Sequence, residues 1–418
     1  MSTVEHTIDH LFRHEWSKLV SVLSGIVGLD QLETAQDIAQ DTLLQALHTW
    51  SLNGTPNDPP AWLYRVARNK AIDRIRRDKN YRDHIRPQYR YLLYSVQEPD
   101  MEAIEIFGIE NIQDSQLQMI FACCHPSIPP ESQLALALKT LCGLSSAEIA
   151  KAFLTSEENI TKRIFRAKEK IRMNQVELEM PVGADLKDRL DVVSKCLYLL
   201  FNEGYNSSHP DQLIREELCE EAMRLCFMLC QSELTAQPRI FALMALFCFQ
   251  VSRFQARLDD KGNIILLKYQ DRSKWHRPLI EKGFYYMDLA VTFPFDTSVY
   301  HLEAAIASLH ASAESFEKTD WKGIYFLYRK LSGLQPGPVI ELNMAIASAY
   351  AVNCEYALEM LKRIKGLDKY YIYHASIAEI QMELGNHADA KSHFGIALAL
   401  TTSKKEQELI INKLNAIS

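Results

Sequence analysis

Apolar residues recur at helical spacing through almost all of this 418-residue chain, and that pattern excludes most of what it could fold into. Short punctuators break the pattern: "NGTPNDPP" (53–60), "HPSIPP" (125–130) and "QPGP" (335–338). One segment alone reads as a hairpin, "LDDKGNIILL" (258–267), with Lys261-Gly262 as its turn. Gly and Pro number only 15 each, which again favours helices over sheets. The expectation is therefore an all-α chain, too long for one core and so divided into two or three domains.

Charge is distributed unevenly. The formal net charge is -7, yet Arg65 to Arg90 holds ten basic residues and three acids. From Glu98 to Asp114 there are six acids and no Lys or Arg, and from Glu157 to Arg172 six basic residues stand against three acids. Two basic islands flank an acidic connector, and the global sum conceals them.

The second island lies on a helix with readable ends. Ser145 and Glu148 have the spacing of a capping box that starts a helix at "SAEIAKAF". After a short turn at Leu154-Thr155, Ser156 caps a second helix, and Glu157 and Glu158 in its first turn complement the dipole. Ile160, Ile164, Ala167 and Ile171 form its buried stripe, which leaves Thr161, Lys162, Arg163, Phe165 and Arg166 outside. Two helices joined this closely read as helix-turn-helix, whose second helix enters the major groove. A solvated basic face is the plainer alternative.

The first island begins with "AWLYRVARNKAIDRIRR" (61–77). On a helix, Arg65, Asn69, Asp73 and Arg76 fall within an arc of about 80°, and Leu63, Ala67, Ala71 and Ile75 lie toward the other side. Such a stripe can grip phosphates, while Trp62 and Tyr64 can offer aromatic faces to unstacked bases. Upstream, "AQDIAQDTLLQALHTW" (35–50) is amphipathic, with Asp37, Gln40 and Asp41 on its polar face. The two carboxylates repel phosphate, so this acidic and amide face points away from DNA and is a candidate protein contact.

Enzyme chemistry has nothing to rest on: no phosphate-cradling Gly loop, no G-x-S-x-G and no H-E-x-x-H occurs. His6, His10 and His14 share a helix face but lack further ligands, so no metal and no cofactor is expected. Cys219, Cys226 and Cys230 read as a core stripe. "ACCHP" (122–126) sets two thiols beside His125, but reactivity would need a lowered thiol pKa, which sequence does not report. Nine Cys without a disulfide-like framework suit a reducing compartment. The start lacks the pattern of a secretory signal, and no apolar run reaches the ~18 residues of a membrane span. A cytoplasmic protein with no membrane partner is the expectation.

Residues 35–47 resemble sigma factor region 2.2, with Gln36 where Glu is usual. "PPAWLYRVARNKAIDRIRR" resembles regions 2.3 and 2.4, and "GLSSAEIAKAFLTSEENITKRIFRAKEKIR" is similar to region 4.2, with Leu154 where Gly is usual. Two such motifs in order and at the right distance resemble a group IV (extracytoplasmic-function) sigma factor. "YLLFNEGYNSS" (198–208) and "ELNMAIASAYA" (341–351) resemble the branch with a long TPR-like C-terminal extension, so the likeness covers essentially the whole chain. Alike helix pairs near the end, "NCEYALEMLKRI" (353–364) and "NHADAKSHFGIAL" (386–398), agree with repeats.

The resemblance implies sigma region 2 as a helical bundle over 1–95, an acidic linker over 96–111, sigma region 4 with its helix-turn-helix over 112–178, and a helical-pair (TPR-like) domain over 179–418. It implies that Asp37, Gln40 and Asp41 dock on the β′ clamp helices of core RNA polymerase, with region 4 meeting the β flap. Trp62, Arg65, Asn69, Asp73, Arg76 and Arg77 would read and melt the −10 element of promoter DNA. Glu158, Thr161, Lys162, Arg163 and Arg166 would read the −35 element. The linker would thread the basic active-centre cleft. The C-terminal domain would regulate in cis, with a regulatory protein or ligand as its own partner. The rival readings are a helix-turn-helix regulator with a TPR-type sensor that is no polymerase subunit, and a repeat scaffold with a vestigial N-terminal part.

Overall fold

The computed structural model describes residues 3–77, 109–153, 155–206, 214–292 and 296–417, without the side chains of 3–14, 109–112 and 151–152. The described residues are helical and contain no strand. Instead of a hairpin, 258–267 forms a turn closed by the single bridge Leu258–Ile264. The Asp259 carboxylate explains the difference, because it accepts the backbone N–H groups of Lys261 and Asn263, both at 2.8 Å. Gly262 takes a φ of 73°, and beyond Ile265 the chain leaves for the helices, so no ladder grows.

The chain divides into two compact units, residues 1–200 with 220–228, and residues 201–219 with 229–418. In the first, α1 (Thr3–Val27), α2 (Leu32–Asn53) and α3 (Pro59–Arg77) pack against one another. Leu19, Leu23 and Ile26 of α1 are buried, as are Ala35 and Ala46 of α2 and Leu63, Ala67 and Ile75 of α3. Each buried Leu or Ile contributes roughly 1.5–3 kcal/mol, and the alanines let the backbones approach. Next come α4 (Ile109–Cys123), α5 (Pro130–Leu141), α6 (Ser146–Ala152) and α7 (Glu157–Met173). Helices α4 and α5 lie against α1, so the two groups form one body. Helix α8 (Ala184–Tyr205) gives this unit its residues up to Leu200, and α9 (Glu216–Gln231) gives it Glu220–Met228.

In the second unit α10 (Pro238–Val251) is buried from Ile240 through Phe249, the pattern of a helix enclosed on all sides. Against it pack α11 (Arg277–Val291) and α12 (Val299–Ser312). The rest are successive neighbours: α13 (Trp321–Leu334), α14 (Pro338–Ala351), α15 (Cys354–Arg363), α16 (Tyr371–Glu383), α17 (His387–Leu400) and α18 (Lys404–Asn415). The two alike segments occupy equivalent places. Asn353 precedes α15, which buries Ala357 and Leu361, and Asn386 precedes α17, which buries Ala390 and Phe394. The offset is 33 residues throughout.

Candidate nucleic-acid interface

Helix α3 starts where Asp58 Oδ1 accepts the N–H of Ala61 at 3.0 Å, and Pro59 and Pro60 occupy first-turn positions that need no donor. Leu63, Ala67, Ala71 and Ile75 are buried, while Arg65, Asn69, Asp73, Arg76 and Arg77 are all exposed. Arg74, Arg76 and Arg77 fall in the last turn, where the helix dipole favours cations. The rest of this basic island, from Asp78 to Arg90, lies outside the described residues, as does the linker up to Gly108.

The two aromatic residues ahead of the stripe are used differently. Trp62 is half-buried and meets Trp50 edge-on at 5.4 Å. The Tyr64 hydroxyl donates to the Glu15 carboxylate, whose other oxygen pairs with Lys18 Nζ at 2.7 Å. Burial and the Glu15 charge push the Tyr64 hydroxyl pKa far up. Tyr64 is therefore a strut between α1 and α3.

Helix α6 opens with a capping box: Ser145 Oγ accepts the Glu148 N–H at 3.1 Å, and the Glu148 carboxylate accepts the Ser145 N–H at 2.8 Å. Ser156 Oγ accepts the Asn159 N–H at 3.3 Å and starts α7, which buries Ile160, Ile164, Ala167 and Ile171. Glu158, Thr161, Lys162, Phe165 and Arg166 are exposed, and Lys162 pairs with Glu158 at 2.7 Å. Arg163 stands apart. It is half-buried and bound to Glu131 of α5 at 2.6 Å, which ties α7 to the neighbouring helix. Leu154, in the turn, lies outside the described residues.

On α2, Asp37, Gln40 and Asp41 are exposed, and Leu44 and Leu47 continue the same face at 55% and 38% exposure. Acids beside bare leucines suit a protein partner better than DNA. Sequence reasoning passed over Leu44 and Leu47; their place on the polar side of the wheel was the available signal.

Both basic helices belong to one closed body. Lys168 of α7 reaches α2, with Nζ 3.3 Å from Glu33 Oε1 and 3.0 Å from Gln36 Oε1. Trp16 of α1 covers Gly143, where an added Cβ would sit 3.3 Å from the indole. Gln116 of α4 donates to Ser17 Oγ of α1 and accepts from Arg224 of α9 at 3.1 Å. Arg224 is held in turn by Glu221 at 2.8 Å.

Cys123 and Cys124 are buried; burial pushes up the Cys123 thiol, and a hydrogen-bonding contact with Cys196, joined by burial, pushes up that of Cys124. Thiols held protonated in this way are poor nucleophiles. Cys219 and Cys226 are buried, and Cys230 is half-buried. The side chains of His6, His10 and His14 lie outside the description. Among the described residues no group of three His, Cys, Asp or Glu is placed to hold a metal, and no helix is long and apolar enough to cross a membrane.

Comparison with known proteins places these elements. Residues 11–81 match the family model for sigma-70 region 2, and residues 118–171 match that for sigma-70 region 4. Residues 189–291 match a family of unknown function, DUF6596. The chain is 36% identical over 388 residues to an uncharacterized protein of Rhizobium meliloti (strain 1021), covering 93% of this chain and 90% of that one. It is 27% identical over 164 residues to the ECF RNA polymerase sigma factor SigE of Mycolicibacterium smegmatis, covering 39% of this chain and 60% of SigE. No solved structure matches.

Proposed function

We infer the function from one premise: this chain belongs to the sigma-70 family, as a sigma factor of the extracytoplasmic-function type with an extra C-terminal domain. Sigma factors of this kind recognise promoters and start transcription, and they are not enzymes. The finer reading is our proposal. The exposed α2 face of Asp37, Gln40 and Asp41, extended by Leu44 and Leu47, docks on the β′ clamp helices of core RNA polymerase. Trp62 and the stripe Arg65, Asn69, Asp73, Arg76 and Arg77 engage the −10 element. Glu158, Thr161, Lys162 and Arg166 face the −35 element, and Arg163 positions α7 through Glu131. Region 4 meets the β flap, and the acidic linker enters the active-centre cleft. The protein acts in the cytoplasm.

We further propose that the C-terminal domain regulates the sigma module in cis by holding it closed. The observation that carries this reading is the Ser17–Gln116–Arg224 chain, which joins α1, α4 and α9 inside one unit. Elements centred near −10 and −35 lie about 25 base pairs apart, or ~85 Å on B-form DNA. A compact body of about 210 residues has a radius of gyration of roughly 17 Å. The two readers cannot reach both elements from one such body. Docking two weak readers on one polymerase then makes promoter binding bivalent.

The test is gel filtration of the full-length chain with core RNA polymerase, followed by transcription from promoters selected out of a random DNA library. Co-elution and selected sites with two separated elements are expected. A chain that binds DNA by itself and never co-elutes with polymerase would instead be a free-standing regulator.

A further inference from the structure

In the second unit the segment after the Gly262 turn crosses the helices and is fastened to them at spaced points. Lys405 of α18 donates to Asn263 Oδ1 at 3.0 Å, and Lys268 pairs with Glu383 of α16 at 3.1 Å. Lys413 Nζ stands 5.7 Å over the Tyr269 ring, and Arg272 donates to the His310 carbonyl of α12. Between this segment and helices α14 and α16 a half-open pocket of about 430 Å³ is left.

The pocket has two kinds of wall. Phe316, Trp321, Ile346 and Tyr350 supply apolar surface. The Trp321 and Tyr350 rings stack at 4.5 Å, and Phe316 meets Tyr350 edge-on at 5.1 Å. Phe316, Trp321 and Ile346 are only half-buried and Tyr350 is exposed, although each is large and mainly apolar. The polar wall carries two ion pairs, Lys268–Glu383 and Lys413–Glu379, the latter at 3.0 Å. Its two ammonium groups and two carboxylates cancel.

We propose that this pocket binds a small zwitterion with a flat apolar body, the chemistry of an aromatic amino acid or of a dipeptide with aromatic side chains. Size comes first: 430 Å³ lies in the range of small-molecule sites, ~300–1,000 Å³. An extended peptide partner has less room here, since the chain's own 263–272 segment already runs along this side. Shape comes second, because a planar body can lie against the aromatic faces. Charge decides the rest. An ion of one sign would meet as many like charges as unlike at this mouth, whereas a zwitterion can give its carboxylate to a lysine and its ammonium to a glutamate. Each Lys ammonium has three donors, and the salt bridge leaves some for a ligand. The proposal concerns the C-terminal domain alone and does not depend on polymerase binding.

Isothermal titration calorimetry of the full-length protein with L-phenylalanyl-L-phenylalanine tests it, alongside the N-acetylated, C-amidated and doubly capped dipeptides. The zwitterion is expected to bind about tenfold more tightly than either singly charged form. Ala349→Phe, which fills the pocket, should abolish the heat while the thermal melt is retained. Lys413→Met should weaken the zwitterion about tenfold and leave the doubly capped dipeptide unaffected, which a merely structural role would not produce. If Ala349→Phe lowers the melting temperature, the Lys413→Met comparison carries the test. Three results would overturn the assignment: no heat with any of the four probes, equal affinity for all of them, or undiminished binding in a folded Ala349→Phe protein.

Discussion

Arg224 Nη1 lies 3.1 Å from Gln116 Oε1, and the Gln116 amide passes the contact on to Ser17. Residues 108 and 99 positions apart in the chain thus share one polar link. Gln116 and Ser17 are fully buried, so water cannot replace the bond between them. Gln116→Leu keeps the volume and strips both hydrogen bonds, taking the Ser17 hydroxyl's buried partner and leaving Arg224 Nη1 with Met228 Sδ. The expected cost to the first unit is about 2–4 kcal/mol, read from the urea midpoint of the full-length protein. A loss below about 0.5 kcal/mol would mean that the link is incidental.

Lys168 bridges Glu33 and Gln36 across the two DNA-binding parts of the first unit. Exposed pairs of this kind contribute about 0.2–1 kcal/mol, and reversal turns attraction into repulsion. Lys168→Glu should therefore favour the open form and raise affinity for core polymerase about two- to tenfold in the absence of DNA. Affinity measured by fluorescence anisotropy that stays the same or falls would count against a closed resting state.

Asp37 and Asp41 are exposed one turn apart on α2, and neither side chain serves the core. Asp37→Lys with Asp41→Lys should leave the melting temperature within a few degrees and abolish co-elution with core polymerase. Retained co-elution would move the docking surface elsewhere.

The local chemistry of these helices was readable in advance, and their partnerships were not. Ser145 with Glu148 and Ser156 with Asn159 cap as their spacing predicts, because a cap needs only the next three residues. The stripe Ile160, Ile164, Ala167 and Ile171 is buried because helical period alone selects a face. Arg163 sits on the same helix, but its fate depends on Glu131, 32 residues away, which periodicity cannot report. Tyr64 was equally opaque: an aromatic beside a basic stripe reads as a base platform until Glu15 of α1 is seen beneath its hydroxyl. The bend at 258–267 looked like a hairpin because turn chemistry was legible, while the want of a second strand to pair with was not. The pocket beside Tyr350 joins a loop to five helices, and no single stretch of sequence carries it.

Gly283 of α11 lies under the Phe249 ring of α10, where an added Cβ would come within 2.6 Å of the ring. Both helices are central to the second unit, and Phe249 is 1% exposed, with little room to retreat. Gly283→Ala should gain helix propensity of about 0.8–1 kcal/mol and lose more through overpacking, about 1–3 kcal/mol. A net fall in melting temperature of the full-length protein is expected. A rise would show that the ring moves aside freely.

His310 of α12 meets Trp321 edge-on at 5.3 Å, and burial, with Arg253 and Arg272 nearby, pushes its pKa down to about 3. The unfolded chain restores a value near 6.5. Between those two values the unfolded state holds one proton more than the native state, so stability rises with pH across the window. Acidification from pH 6.5 to 4.5 should then cost about 2.5 kcal/mol from this residue, with no contribution above pH 7. His301 and His393 are also pushed down, mainly by burial, and would add their own slopes to any single measurement. Comparison with His310→Phe isolates one proton, since that ring keeps the contact with Trp321 and cannot titrate. Urea unfolding at several pH values should show wild type losing stability more steeply than the variant below pH 6.5, and parallel curves would mean that His310 takes up its proton in the folded protein.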